Sequence, residues 1–146
     1  MYRLTKKFRF EAAHRLAKGY TGKCANIHGH SWNGELTVEC TELDKFSFGI
    51  DFVELKKLLN NVETLYDHAI LLYIEDKELI KLCKDNEWKH SIFSENPTSE
   101  VIANVIFKAA KEYFSDKEDI NSAIKVHSVT IEETCTSRCE YYELKN

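Results

Sequence analysis

From Arg3 to His14 polar and apolar residues alternate, with Leu4, Phe8, Phe10 and Ala12 on one parity and Arg3, Thr5, Lys7, Arg9 and Glu11 on the other. A period of two predicts a strand. Residues 15–27 carry Gly19 and Gly22 and read as a loop. From His30 to Thr41, Trp32, Leu36, Val38 and Cys40 share a parity, which predicts a second strand and a long antiparallel hairpin. The period then changes. Asp51 suits a helix N-cap with Glu54 three residues on, and Phe52, Leu55, Leu58, Leu59 and Val62 follow helical spacing. A short helix is predicted from Asp76 to Lys84, with Leu79, Ile80 and Cys83 on one face. After Pro97, Thr98 can cap a further helix with an apolar stripe of Val101, Ile102, Val105, Ile106 and Ala109. Alternation returns from Ala123 to Glu133, where Ile124, Val126 and Ser128 give way to Val129 and Ile131 through a change of parity, and Glu140–Leu144 reads as a pairing strand. Strands at both ends with helices between them predict α+β with an antiparallel sheet.

A length of 146 residues suits one domain, residues 1–146. With 43% hydrophobic and 30% charged residues the chain has the composition of a folded globular protein rather than a disordered one. No apolar run approaches the roughly 20 residues that cross a bilayer. Met1 to Lys7 leads into alternating residues without the apolar core of a signal peptide, so a cytoplasmic location is expected. A net charge of −4 offers no general footprint for nucleic acid or an anionic membrane. A local cationic cluster for an anionic small molecule stays open at Arg15, Lys18 and Lys23, with ordinary solvated charges as the alternative. Five cysteines without a C-x-x-C pair make a poor disulfide framework and suit a reducing compartment.

His28-Gly29-His30 is the sharpest chemical feature. On extended backbone, residues two apart project from one face, so both imidazoles can reach one metal. Gly29 would let a ligand or another backbone come close. His14, at the end of the neighbouring predicted strand, is the natural third ligand if the hairpin closes. Three imidazoles without a thiolate leave a position open, the pattern of a catalytic zinc site. Imidazole also suits copper, iron or nickel, and an H-x-H pair on its own is compatible with histidines that bind nothing. Cys24 lies four residues before His28, where a thiolate beside a cation is a competent base or nucleophile; the alternative is a small buried hydrophobe, the reading for Cys40 and Cys83. Asp67-His68 offers a carboxylate that can fix an imidazole's tautomer for proton transfer, although such pairs also arise by chance. Glu133, followed by Thr134, ends a predicted strand and can accept paired N–H donors from a flat heterocycle, with a solvated strand-end glutamate as the alternative and the reading for Glu132. Cys135 and Cys139 lack a second soft pair and are not a zinc site.

In order along the chain, Phe10-Glu11-Ala12-Ala13-His14-Arg15-Leu16, Cys24-x-x-x-His28-Gly29-His30, Gly49-Ile50-Asp51-Phe52, Asp67-His68, Pro97-Thr98-Ser99-Glu100 and Glu133-Thr134 resemble the family of 6-pyruvoyl- and 6-carboxytetrahydropterin synthases. The resemblance implies the tunnelling fold: a four-stranded antiparallel sheet, order ββααββ, with two main helices on one face. It implies homo-oligomers, hexamers or tetramers, with active sites between subunits. It implies Zn²⁺ on His14, His28 and His30, Cys24 as catalytic base, Asp67 and His68 in proton transfer, and Glu133 as the pterin anchor, with Glu100 and Thr134 beside the pterin. The implied substrate is 7,8-dihydroneopterin triphosphate. The tail from Glu133 to Tyr141 is similar to the bacterial branch, which makes 6-carboxy-5,6,7,8-tetrahydropterin and acetaldehyde toward queuosine. The other branch makes 6-pyruvoyl-tetrahydropterin. Tyr73 to Ser94 fits the motifs least and reads as a variable insertion with its own short helix.

Overall fold

The computed structural model describes residues 1–115 and 123–144. The hairpin closes over its whole predicted length. Strand β1 (Tyr2–His14) pairs antiparallel with β2 (His28–Cys40), from Tyr2 against Cys40 to His14 against His28. Helix α1 (Phe52–Tyr66) starts at Asp51, whose carboxylate accepts the Val53 N–H at 2.8 Å. Then come β3 (Ala69–Tyr73), α2 (Lys77–Asp85), β4 (His90–Phe93), α3 (Ser99–Ser115), β5 (Ile124–Thr134) and β6 (Ser137–Tyr141).

The described residues form a six-stranded mixed sheet in the order β4-β3-β1-β2-β5-β6, which corrects the expected four antiparallel strands, while the two main helices and the short one between them lie where expected. The two extra strands run parallel, β3 to β1 and β4 to β3. Their signal was weak for a physical reason. Ala69-Ile-Leu-Leu-Tyr73 is a continuous apolar run in which Leu71 and Leu72 are both buried, as befits a strand covered on both faces, so it shows no alternation. The segment 73–94 is therefore part of a β3–α2–β4 unit. It has a small core of its own, in which Leu79, Ile80 and Cys83 of α2 pack on Leu72. The last strand begins earlier than expected, at Ser137, because only Cys135 and Thr136 separate it from β5.

One face of the sheet is apolar and lies under α1 and α3. Phe8, Phe10 and Ala12 of β1 and Trp32, Leu36 and Val38 of β2 meet Leu55, Leu58, Leu59 and Val62 of α1 and Ile102, Ile106 and Phe107 of α3. Phe10 stacks on Trp32 with ring centroids 5.9 Å apart. Gly34 stands opposite Phe8, and a Cβ there would lie 2.1 Å from the Phe8 ring, so the close crossing requires glycine. The parity change in β5 is real. Val126 pairs with Val38 and Ser128 with Thr37, leaving His127 as the extra residue of a bulge. Beyond it Val129 and Ile131 are buried, while Glu132 belongs to the opposite parity.

Candidate metal centre and its surroundings

His14, His28 and His30 continue the apolar rows of β1 and β2 past Phe10 and Trp32, so the parity that builds the core also turns three imidazoles inward. His14 is 1% exposed. The His14 and His30 rings meet Trp32 edge-on, at 5.1 and 5.2 Å between centroids. One donor nitrogen from each histidine lies within 4.8 Å of the others, and no other such group occurs among the described residues.

Tautomers follow from the partners. His14 Nδ1 lies 2.8 Å from the Pro97 carbonyl, and His28 Nδ1 lies 2.8 Å from that of Asn26. A carbonyl only accepts, so each Nδ1 carries the hydrogen and each Nε2 presents a lone pair. Those two Nε2 atoms are 3.2 Å apart, and His30 Nε2 is buried with no hydrogen-bond partner. Glu133 Oε1 adds negative charge 3.5 Å from His14 Nε2 and 3.8 Å from His30 Nε2. Lone pairs and a carboxylate converging on one point call for a cation. A proton is disfavoured, because burial foremost lowers the affinity of both His14 and His30 for one. A divalent metal fits: tetrahedral zinc with Zn–N of about 2.0–2.1 Å sets its nitrogens roughly 3.4 Å apart. Backbone carbonyls on the far ring nitrogens are the support such ligands use. These main-chain acceptors carry no side-chain signature in the sequence.

Asp67 caps the C-terminal end of α1 and His68 follows in the left-handed region, φ 56°. The two bracket Glu11 of β1: Asp67 Oδ1 accepts its N–H at 2.8 Å, and its carbonyl accepts the His68 N–H at 2.6 Å. Asp67 Oδ2 accepts from His68 Nδ1 at 2.8 Å. The Glu11 N–H first, and His68 second, hold the Asp67 carboxyl below its ordinary value. The His68 side chain is 79% exposed and lines an open hollow with Glu11, Ala13, Gly29 and Ser31. Those four strand residues have the parity opposite to the imidazoles, and Ala12 and His30 border the same hollow. Gly29 faces this hollow; a Cβ there would meet only the Ala12 carbonyl, at 3.7 Å, so no close approach within the chain requires it.

Other expected residues are less tightly gathered. Cys24 is half-buried on a 3-10 turn (Lys23–Ala25), and its sulfur is outside the imidazole group. Glu100, in the first turn of α3, is held low by the Thr98 hydroxyl above all, and its charge, after burial, pushes the Cys139 thiol up. The Thr134 hydroxyl contacts that of Thr136 at 3.3 Å. All five cysteines are free thiols. Of the cations at which a cluster stayed open, Arg15 is paired with Asp76 and Lys18 with Glu95.

Comparison with known proteins agrees in extent and in fold. The sequence profile of 6-pyruvoyl tetrahydropterin synthase matches residues 3–144. A 6-carboxy-5,6,7,8-tetrahydropterin synthase of Bacillus subtilis (strain 168) is 31% identical over 140 residues, covering 96% of this chain and 84% of that one. Another, from Synechocystis sp., is 33% identical over 146 residues, covering 97% and 94%. Among solved structures, an uncharacterized protein from Wolinella succinogenes superposes with a TM-score of 0.82 at 21% identity, covering 98% of each chain. The 6-pyruvoyl tetrahydropterin synthase of Caenorhabditis elegans gives 0.68 at 26% identity, covering 98% of this chain and 96% of that one. On this match over nearly its whole length, the chain belongs to the 6-pyruvoyl tetrahydropterin synthase family.

Proposed function

We propose that this protein is a 6-carboxy-5,6,7,8-tetrahydropterin synthase, a single-domain lyase that converts 7,8-dihydroneopterin triphosphate with release of acetaldehyde and triphosphate, toward queuosine. The observation that carries the reading is the closed imidazole group of His14, His28 and His30 beneath Glu133, in a chain whose bacterial relatives bear that name. His14, His28 and His30 would hold Zn²⁺, which when bound supplies a Lewis acid for the substrate's side-chain hydroxyls.

The remaining chemistry belongs to the chain's own groups. The Cys24 thiolate takes a proton from the substrate side chain. Asp67 keeps the hydrogen on His68 Nδ1, so protons are exchanged at Nε2, which opens to the hollow. Glu133 anchors the pterin through its N–H donors, and Glu100 and Thr134 flank it. Because Asp67 and His68 stand outside the imidazole group, a second copy is read as supplying the pair. The protein then works as a cytoplasmic homo-oligomer, a hexamer or a tetramer.

Incubating the purified protein with 7,8-dihydroneopterin triphosphate and identifying the product by mass tests the reading. 6-Carboxytetrahydropterin with acetaldehyde is expected. Formation of 6-pyruvoyl-tetrahydropterin would instead establish the second reading, which the family's name favours. Glu133→Ala is expected to keep the metal and to weaken substrate binding by roughly 2–5 kcal/mol, the cost of leaving a charged contact half made. Metal analysis beside a substrate titration checks this. Unchanged affinity would remove Glu133 from the binding site.

A further inference from the structure

The loop that follows His14 is held from outside by the β3–α2–β4 unit and the strap leading to α3. Arg15 donates from Nε to Asp76 Oδ2 at 2.7 Å and from its second terminal nitrogen to Oδ1 at 2.6 Å, a paired contact with an aspartate only 6% exposed. The Lys18 N–H donates to Asn96 Oδ1 at 2.9 Å, and the Lys18 ammonium pairs with Glu95. The loop then closes on itself, as the Leu16 N–H donates to the Cys24 carbonyl at 2.8 Å. Cys24 is thus one backbone hydrogen bond away from the residue beside Arg15. On its other side, the Asn26 carbonyl grips His28.

Asp76 also caps α2, but that bond, from the Leu79 N–H, is long at 3.4 Å and leaves the two short bonds to Arg15 unaccounted for. A guanidinium reserved for an anionic substrate would be free; this one has Nε and a terminal nitrogen committed to a carboxylate. We propose that Asp76 is a positioning residue: by fixing Arg15 it sets the loop that presents Cys24 to the imidazole group. The segment 73–94, which fits the family motifs least, thereby determines the placement of the catalytic thiol. This rests on the assignment of Cys24 as the base.

Asp76→Asn tests it, because asparagine still offers one oxygen to cap α2, while it removes the charge and replaces the second acceptor by an NH2 that cannot take an Arg15 N–H. With the zinc-loaded variant, iodoacetamide should alkylate Cys24 roughly fivefold faster or more, as expected when a local closure is loosened. Exposed Cys135 should react at the parental rate, and Cys83, on the buried face of α2, should stay protected, each followed by peptide mass. Zinc content should be parental, and kcat should fall roughly 10- to 100-fold with KM little changed, the cost of misplacing a reacting group. The double variant R15Q/D76N should be no worse than R15Q alone. A parental Cys24 alkylation rate would overturn the proposal, as would Cys83 exposed together with Cys24, or additive losses in the double variant. The alkylation needs no substrate, so failure of the parent protein to turn over 7,8-dihydroneopterin triphosphate would refute the proposed function and leave the positioning role standing.

Discussion

His28→Ala should lose bound zinc and turnover together. The side chain sits directly across from His14, its Nε2 is 3.2 Å from that of His14, and its Nδ1 hydrogen is engaged by Asn26, so its removal leaves two imidazoles where three met. Loss of an outer partner of a ligand already costs about 10–100-fold in metal affinity, so removing the ligand should cost at least roughly 100-fold. Metal analysis after dialysis against a chelator, beside a turnover assay, reads both effects. The fold should persist, because His28 lies at the open end of β2, beyond Trp32, Leu36 and Val38, which hold the strand to the core. Full turnover by a zinc-free His28→Ala protein would sink the metal assignment.

Cys24→Ala should separate metal from chemistry. The cluster closes with three imidazoles and without the Cys24 sulfur, so the variant is expected to bind zinc like the parent. Turnover should fall by roughly 10²–10⁴, the usual contribution of a positioned proton-transfer group. Its interpretation is clean because the backbone bond from Leu16 is made to the Cys24 carbonyl, which alanine also offers. A Cys24→Ala protein with zinc and full turnover would exclude the thiol from the mechanism.

Much of this was legible in the sequence where a side-chain pattern sets the geometry. The alternation in β1 and β2 fixes which residues share a face, and that alone places His14, His28 and His30 together. The caps Asp51, Asp76 and Thr98 are local, and each start falls where the sequence puts it. What escaped depends on contacts distant in the chain. Parallel β3 hides its period because both of its faces are covered. The carbonyls of Pro97 and Asn26, which set the tautomers, can be supplied by any residue. Arg15 and Lys18 read as available cations because nothing local reveals Asp76, 61 positions away, or Glu95, 77 away.

The bulge at His127 means that β5 carries two independent phases. Residues before it are matched to β2 through Val126 and Val38, while residues after it are set by what Glu133 must face. The extra residue absorbs the mismatch, so deleting His127 would straighten the strand and still leave Glu133 turned toward the imidazoles. Deleting one residue beyond it, such as Thr130, would shift the phase of the remaining strand and move Glu133 to the station of Glu132, with Thr134 in its place. The strand can therefore tolerate a length change on one side of that point and not on the other.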